Sequence, residues 1–180
     1  MLVTPAIAGE AIAVVPLTLV VWEQGIEGLA DLGDHARALA WADSSVGVAL
    51  QLRAPEVKWI LPPELRKIAR RAPGVAPDPD RMGQAVMRAQ NLKDVPDPLR
   101  GHLRSLAALT GGRFALVPAS LGFLKDPSGG IRAELALVLA DTRTGKVAWR
   151  SLAWGVGATP ARALAAALAS VLPADLGAAQ

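Results

Sequence analysis

The last third of the chain most constrains the fold, because it predicts three successive β-strands joined by short turns. A hairpin loop of five residues that is built on a type I turn needs positive φ just before the next strand. Gly145 stands at that position in the turn Asp141–Gly145, which fixes the register of the hairpin. The three predicted strands are Arg113–Leu124, Ile131–Ala140 and Lys146–Val156.

The middle strand of this region predicts a sheet that is covered on both faces near the end of the strand. Alternate residues from Ile131 to Leu139 are apolar, so one face of the strand packs on a core. The other face begins with Arg132 and Glu134 and then becomes apolar. We therefore expect cover on both sides of the sheet around Ala136, Val138 and Ala140.

Length and composition predict one compact domain without a metal or cofactor. With 180 residues, of which 52% are hydrophobic, the chain can fill one core and is short for two. We interpret residues 1–180 as a single α/β domain. Cysteine is absent, which excludes disulfides, thiol nucleophiles and cysteine metal sites. His35 and His102 lie far apart, and neither has a second histidine three or four residues on.

Residues 11–22 form a long apolar run that we interpret as a buried strand. As a helix these residues would span roughly 18 Å against a hydrocarbon core of about 30 Å, so no transmembrane segment is predicted. A signal peptide is not predicted either, because no positive residue precedes the run and Glu10 interrupts the approach to it. Pro16 predicts a break, a bulge or an edge within the strand.

Helices are predicted between the strands from capping residues and apolar spacing. The first runs from Asp34 to about Leu52, and a short strand, Glu56–Leu61, follows it. Three later helices share a small polar residue followed by proline, which caps the helix and loses no needed donor at its first position. These starts are Asp78 and Pro79, Asp97 and Pro98, and Thr159 and Pro160.

The element order predicts an α/β fold with a mixed, roughly five-stranded sheet, a C-terminal three-strand meander and helices packed on the sheet. The helix after Asp97 has an apolar stripe that ends before two glycines. The residues of that stripe are Leu99, Leu103, Leu106 and Leu109.

Aromatic residues are few, with five Trp, two Phe and no Tyr, so each tryptophan is interpreted as a local anchor. Trp22 lies beside a polar loop and is the best candidate for partial exposure. Burial in the core is favoured over a stacking role for the other four, which are Trp41, Trp59, Trp149 and Trp154.

Charge is unevenly distributed along the chain. Residues 1–60 carry three Lys or Arg and seven Asp or Glu, whereas residues 61–110 carry nine and five. The basic middle includes a predicted short helix, Glu64–Arg71, on which cations stand one turn apart while Leu65 and Ile68 face inward. The helix after Asp97 repeats this spacing. The candidate partner-binding residues are Arg66, Lys67, Arg70, Arg71, Arg100 and Arg104.

If these two helices are neighbours, their combined basic surface could dock an acidic protein face, an anionic lipid surface or nucleic-acid phosphate. The alternative interpretation is an ordinary solvated helix face. No serine lies in a Gly-x-Ser-x-Gly elbow, and no Ser-x-x-Lys, GxGxxG or P-loop pattern occurs. We therefore predict no catalytic residue and no cofactor, and interpret the chain as not an enzyme.

Three passages carry a resemblance to a known superfamily: Ala13–Leu17, Leu109–Pro118 and Leu137–Trp149. They resemble a bacterial envelope superfamily that includes the curli-secretion pore lipoproteins, the lipoprotein activators of penicillin-binding proteins and the amino-terminal domain of the Tol-system propeller protein. The resemblance implies an α/β domain that binds other proteins in the periplasm or at a membrane, with no catalytic residues to carry over. Pore formation is not implied, because the long amphipathic hairpin of the pore-forming members is missing.

The leading hypothesis is a non-catalytic protein-binding domain of the cell envelope, whose partner is another protein, for instance of a membrane-associated complex. The alternative is a cytoplasmic basic domain that binds nucleic acid through the cations of the Glu64–Arg71 helix. Interleaved aromatic residues and glycine-rich RNA motifs are missing there, which makes nucleic acid the weaker candidate.

Overall fold

The structure, a computed structural model, describes residues 7–28 and 34–172. It has an α/β fold, in which helices pack on both faces of a mixed sheet. The strands are β1 (Ala11–Val14), β2 (Val20–Trp22), β3 (Lys58–Ile60), β4 (Phe114–Lys125), β5 (Ile131–Asp141) and β6 (Lys146–Gly157). The helices are α1 (His35–Arg53), α2 (Pro62–Arg71), α3 (Leu99–Thr110) and α4 (Pro160–Val171), and a 3-10 helix covers Gln84–Arg88.

The sheet has the order β3-β1-β4-β5-β6, and β2 pairs with the same edge of β4 as β1 does. Strand β1 pairs in parallel with β3 and β4, and β2 pairs in parallel with β4. Strands β4, β5 and β6 form the predicted antiparallel meander. The roughly five predicted strands become six, because the apolar run at residues 11–22 is divided into β1 and β2. Pro16 lies in the gap, where it has no amide to give to a ladder, so the predicted break is confirmed.

The turn between β5 and β6 has the predicted conformation. Gly145 has φ of 73°, and its amide donates to the carbonyl of Asp141 at 2.8 Å. The Asp141 carboxylate accepts from the amides of Arg143 and Thr144 at 3.0 and 3.3 Å, and from the guanidinium of Arg113 at 2.6 Å. Hydrogen bonding from Arg113 lowers the pKa of Asp141. The turn is therefore tied to the residue that precedes β4.

Two apolar cores lie on opposite faces of the sheet. The first lies under α1 and α4, with Phe123 and Leu164 among its fully buried side chains. The second lies under α2, α3 and the 3-10 helix, with Leu65 and Leu103 among its buried side chains. Strand β5 contributes to both cores, as its alternation predicts: Ala133, Leu135, Leu137 and Leu139 to the first, and Ala136, Val138 and Ala140 to the second.

One predicted helix start, at Asp34, and one predicted helix cap, at Thr159, are confirmed. The Asp34 carboxylate accepts from the amide of Arg37 at 2.8 Å and starts α1. The Thr159 hydroxyl accepts from the amide of Arg162 at 3.3 Å, and α4 begins at the following proline. In both cases a side-chain oxygen satisfies an amide that has no partner within the helix.

Two other predicted starts are wrong. The residues after Asp78 form a turn, because its carboxylate accepts from the amide of Asp80 at 3.0 Å, a local bond that competes with a helix. Asp97 does not cap α3, which begins at Leu99 without a side-chain cap. The end of the predicted stripe on α3 is also wrong, because Leu109 is 36% exposed.

Helix α4 lies close against β6, because two glycines of the strand face it. A Cβ on Gly155 would collide with the backbone of Ala166 and Ala167, and one on Gly157 would collide with the backbone of the first turn of α4. A side chain at either position therefore requires the helix to move away from the sheet.

We expect Gly155→Ala to lower the free energy of unfolding by about 1 to 3 kcal/mol, because the added methyl group overpacks this contact. Urea titration measures the change. The matched control is Gly101→Ala in α3, where nothing lies within 4 Å of the added Cβ. That control should be neutral or stabilising by up to about 1 kcal/mol, since alanine is the better helix former. Equal effects of the two changes would contradict the close packing of α4.

Candidate functional site

The six predicted cations lie on neighbouring helices, because α2 and α3 pack against each other. Four of them are exposed. Lys67 lies 3.6 Å from the carboxylate of Glu64, and none of the four contacts any other carboxylate of the described residues. We call these four residues the basic surface: Lys67, Arg70, Arg71 and Arg104.

Arg66 belongs to a polar cluster and not to the basic surface. Its Nε and Nη2 donate to the two carboxylate oxygens of Asp80 at 2.9 and 2.8 Å. Its Nη2 also lies 3.4 Å from Oδ2 of Asp43. The spacing predicts Arg66 on an exposed ridge. In the structure, Arg66 instead joins α2 to α1 and to the loop that contains Asp80.

Asp43 is the most buried member of this cluster, with 9% of its side chain exposed. Its Oδ1 accepts from the amide of Leu17 at 2.8 Å. Burial raises the pKa of Asp43 to about 6, although the Leu17 amide and Arg66 both favour the charged form.

Arg100 is engaged elsewhere in the fold. Its Nη2 donates to the carbonyl of Thr144 at 3.1 Å, and its guanidinium lies over Gly145 in the turn before β6. Although Arg100 is exposed, it holds the turn against α3 and is separate from the basic surface.

A second candidate surface lies on the sheet, where the cover by α2, α3 and the 3-10 helix ends. The boundary is Arg150, which donates to the carbonyls of Met87, Ala89 and Leu92 at 2.8, 2.8 and 3.0 Å. Beyond it, on the same face of the sheet, the side chains of β2, β4, β5 and β6 are partly or largely exposed. We call this the uncovered face, and its residues are Val21, Leu124, Arg132, Glu134, Leu152, Trp154 and Val156.

Trp154 is the largest side chain of the uncovered face and is 53% exposed. The Cζ of Arg132 lies 4.7 Å from its ring centroid, and Nε of Arg132 lies 2.9 Å from Oε1 of Glu134. The prediction that Trp154 is a core residue is wrong, because it lies on the face opposite Trp149, beyond the boundary at Arg150. The charges at the start of β5 were the sequence signal for this exposure.

The other tryptophans lie as the sequence predicts. Trp41, Trp59 and Trp149 are partly buried against the first core. Trp22 is 38% exposed, and its ring centroid lies 6.3 Å from that of His35. The tryptophan that reaches furthest into solvent is therefore the one on the uncovered face.

No group of three or more His, Asp or Glu that could hold a metal ion occurs in residues 7–28 and 34–172. Within the same ranges, no helix has the length and apolar character needed to cross a membrane. A cleft of about 630 Å³ at one end of the sheet contains Asp126. Its carboxylate accepts from the amide and hydroxyl of Ser128 at 2.9 and 2.5 Å. These hydrogen bonds lower the pKa of Asp126 and stabilise the turn between β4 and β5.

No family model matches the chain, and no curated protein matches it. Among solved structures, the chain is similar to the LpoB C-terminal domain from Salmonella enterica, with 13% identity, 83% of each chain covered and a TM-score of 0.45. It is similar to lipoprotein GNA1162 from Neisseria meningitidis, with 15% identity, 82% of this chain and 81% of that chain covered, and a TM-score of 0.39. A PelC dodecamer from Paraburkholderia phytofirmans gives 12% identity, 91% and 83% coverage, and a TM-score of 0.36.

Identities of 12 to 15% with TM-scores of 0.45 or less carry no information about function.

The pKa of Asp43 predicts that this residue makes the folded protein less stable as the pH rises from about 4 to about 6. The folded state binds the proton with a pKa of about 6 against an ordinary value of 3.8, so raising the pH through this window removes stability. One pKa unit equals about 1.4 kcal/mol, so the loss is at most about 3 kcal/mol. Asp43→Asn keeps an acceptor for the Leu17 amide and should not show this loss. Urea titrations of both proteins at low and neutral pH give the difference, and parallel pH profiles would contradict it.

We expect Arg66→Gln to destabilise the protein at neutral pH by about 1 to 3 kcal/mol, because it leaves Asp43 charged and partly buried without its cation. Arg70→Gln is the matched control on the same helix, and it should change stability by no more than about 0.5 kcal/mol. Denaturant titration compares the two variants. A neutral Arg66→Gln would mean that Arg66 is free to act as a surface cation.

Proposed function

We propose that this chain is a non-catalytic protein-binding domain of the bacterial cell envelope, which acts as a scaffold or accessory subunit in the periplasm or at a membrane. The observation that carries the proposal is the basic surface. Its cations stand on two adjacent helices, and among the described residues only Lys67 has a carboxylate within 4 Å. Such a concentration of exposed positive charge attracts a partner with an acidic face.

The location in the envelope is supported by the sequence resemblance carried by Leu109–Pro118 and Leu137–Trp149. These passages form the end of α3, the start of β4 and the hairpin between β5 and β6. The mixed sheet and the three-strand meander before the last helix, both predicted from the element order, are present in this fold.

A non-catalytic role is supported by what the carboxylates contact. Asp43 accepts the Leu17 amide and faces Arg66, and Asp141 is held by Arg113. Asp126 is bonded within its own turn. Each of these carboxylates has structural partners, so none of them is positioned as a general acid or base.

Nucleic acid is the alternative partner, in a cytoplasmic protein, and the same exposed cations favour it. Single strands are commonly held by aromatic side chains on which bases stack, beside a positive groove. Residues 60–113, which include α2 and α3, contain no Phe, Trp or Tyr. The basic surface therefore offers phosphate contacts without a stacking platform, and a protein partner is the better fit.

The proposal is tested by affinity capture from a nuclease-treated envelope extract of the source cell. We expect Arg70→Glu with Arg71→Glu to reduce partner capture at least about tenfold, because two attractive charges become repulsive. Capture by the unchanged protein should weaken as salt rises, since exposed charges are screened over about 10 Å at 0.1 M salt. The matched control reverses Arg143 and Arg162, two exposed cations outside the basic surface, to Glu.

Two results would count against this function. Equal capture by the Arg70 and Arg71 double variant and by its control would show that the basic surface is a solvated helix face. Retention of nucleic acid instead of protein from an untreated extract would favour the cytoplasmic alternative.

A further inference from the structure

The uncovered face is an apolar surface with one cation and one anion at its centre. Trp154, Leu152 and Val156 are 53%, 42% and 37% exposed on β6. Arg132 and Glu134 lie beside them on β5, paired with each other at 2.9 Å. This surface is separate from the basic surface, so its role does not depend on the proposed function.

The uncovered face is built in rows that run across the sheet. One row pairs Glu134 with Trp154, and the next pairs Leu124 with Arg132 and Val156. Neighbouring rows on one face of a sheet are about 6.8 Å apart, twice the rise per residue. The cation and the anion therefore stand in adjacent rows along the same strand.

This arrangement restricts what can cover the surface without a loss. A uniformly acidic or basic partner would meet one of the two charges with a like charge, and like charges brought together across an interface are unfavourable. The best occupant offers an anion opposite Arg132, a cation opposite Glu134 and apolar side chains around them. A second copy of the same face supplies this pattern by symmetry.

We propose that two copies of this chain associate through their uncovered faces, about a two-fold axis that lies between the facing sheets and perpendicular to the strands. An axis midway between the two rows brings Arg132 opposite Glu134 of the partner subunit. It brings Trp154 opposite Val156 of the partner subunit. The charges then alternate in a closed group of four, and the tryptophan ring is removed from water.

The size of the face makes this association weak. From the rows and the strand spacing of about 4.8 Å, the outermost Cα positions of the face span about 14 Å in each direction, so the contact buries at most roughly 400 Å² on each partner with the side chains. A standard stable interface buries about 800 Å² on each partner. We therefore expect a dimer that dissociates in the range of about 10 to 500 µM.

The association is tested by sedimentation velocity on the whole chain, from about 5 µM to about 1 mM. We expect the unchanged protein to shift from monomer to dimer across this range. Arg132→Glu alone and Glu134→Arg alone should each weaken self-association at least about tenfold, because like charges then face each other across the two-fold axis.

An equimolar mixture of these two variants should dimerise again. In the mixed pair, both charged contacts join a carboxylate to a guanidinium, so recovery requires the contact to be between copies. It also shows that both variants are folded. The matched controls are Glu64→Lys and Lys67→Glu, which reverse an exposed ion pair away from the uncovered face and should leave the dimer unchanged.

Three results would overturn the proposal. A protein that stays monomeric at about 1 mM would leave the face to a different protein. Single variants that dimerise like the unchanged protein would show that the charged contact does not hold the copies together. A mixture that stays monomeric would show that the two charges do not face each other.

Discussion

The fold depends on how the sheet satisfies its backbone at the gap between β1 and β2. Pro16 has no amide hydrogen to donate to a neighbouring strand. At this gap, the carbonyl of Pro16 and the amide of Leu17 form hydrogen bonds with side chains. Gln84, which is fully buried, donates to the Pro16 carbonyl at 3.0 Å, and Asp43 accepts from the Leu17 amide at 2.8 Å. A buried backbone group without a hydrogen-bond partner lowers the free energy of unfolding by about 1 to 3 kcal/mol, so the positions of these two side chains stabilise the fold.

That requirement joins the two helical layers. Asp43 comes from α1, over one face of the sheet, and Gln84 comes from the 3-10 helix over the other. The carboxylate of Asp43 is then neutralised by Arg66 of α2, which is also held by Asp80. Arg66, which the sequence spacing predicts on an exposed ridge, therefore pairs with the carboxylate that bonds the backbone at this gap.

The remaining surface depends on which cations are used inside the fold. Arg66, Arg100, Arg113 and Arg150 each bind carboxylates or carbonyl oxygens and stabilise loops and turns. The cations of the basic surface lack this role, and their positive charge is available to the acidic partner that we propose. The uncovered face is different in kind, because its charges are balanced and its apolar side chains dominate. We expect salt to weaken binding at the basic surface more than association through the uncovered face, since screening weakens contacts between charges and leaves apolar burial largely intact.

The sequence alone determined the features that depend on near neighbours in the chain. The positive φ of Gly145, the helix start at Asp34, the cap at Thr159 and the alternation of β5 result from local sterics and side-chain periodicity, and the structure has them all. The break at Pro16 belongs to the same class, because a missing amide acts wherever the residue lies.

Only the tertiary structure decided which faces are covered and which charges are paired. Trp154 and Trp149 belong to the same strand, yet one is exposed because the cover of its face ends at Arg150, whose partners lie 58 to 63 residues away in sequence. Arg66 and Arg70 stand one turn apart, yet one meets Asp43 and Asp80 and the other meets solvent. Burial and pairing depend on which distant elements fold onto a residue, and neither the spacing nor the chemistry of that residue specifies them.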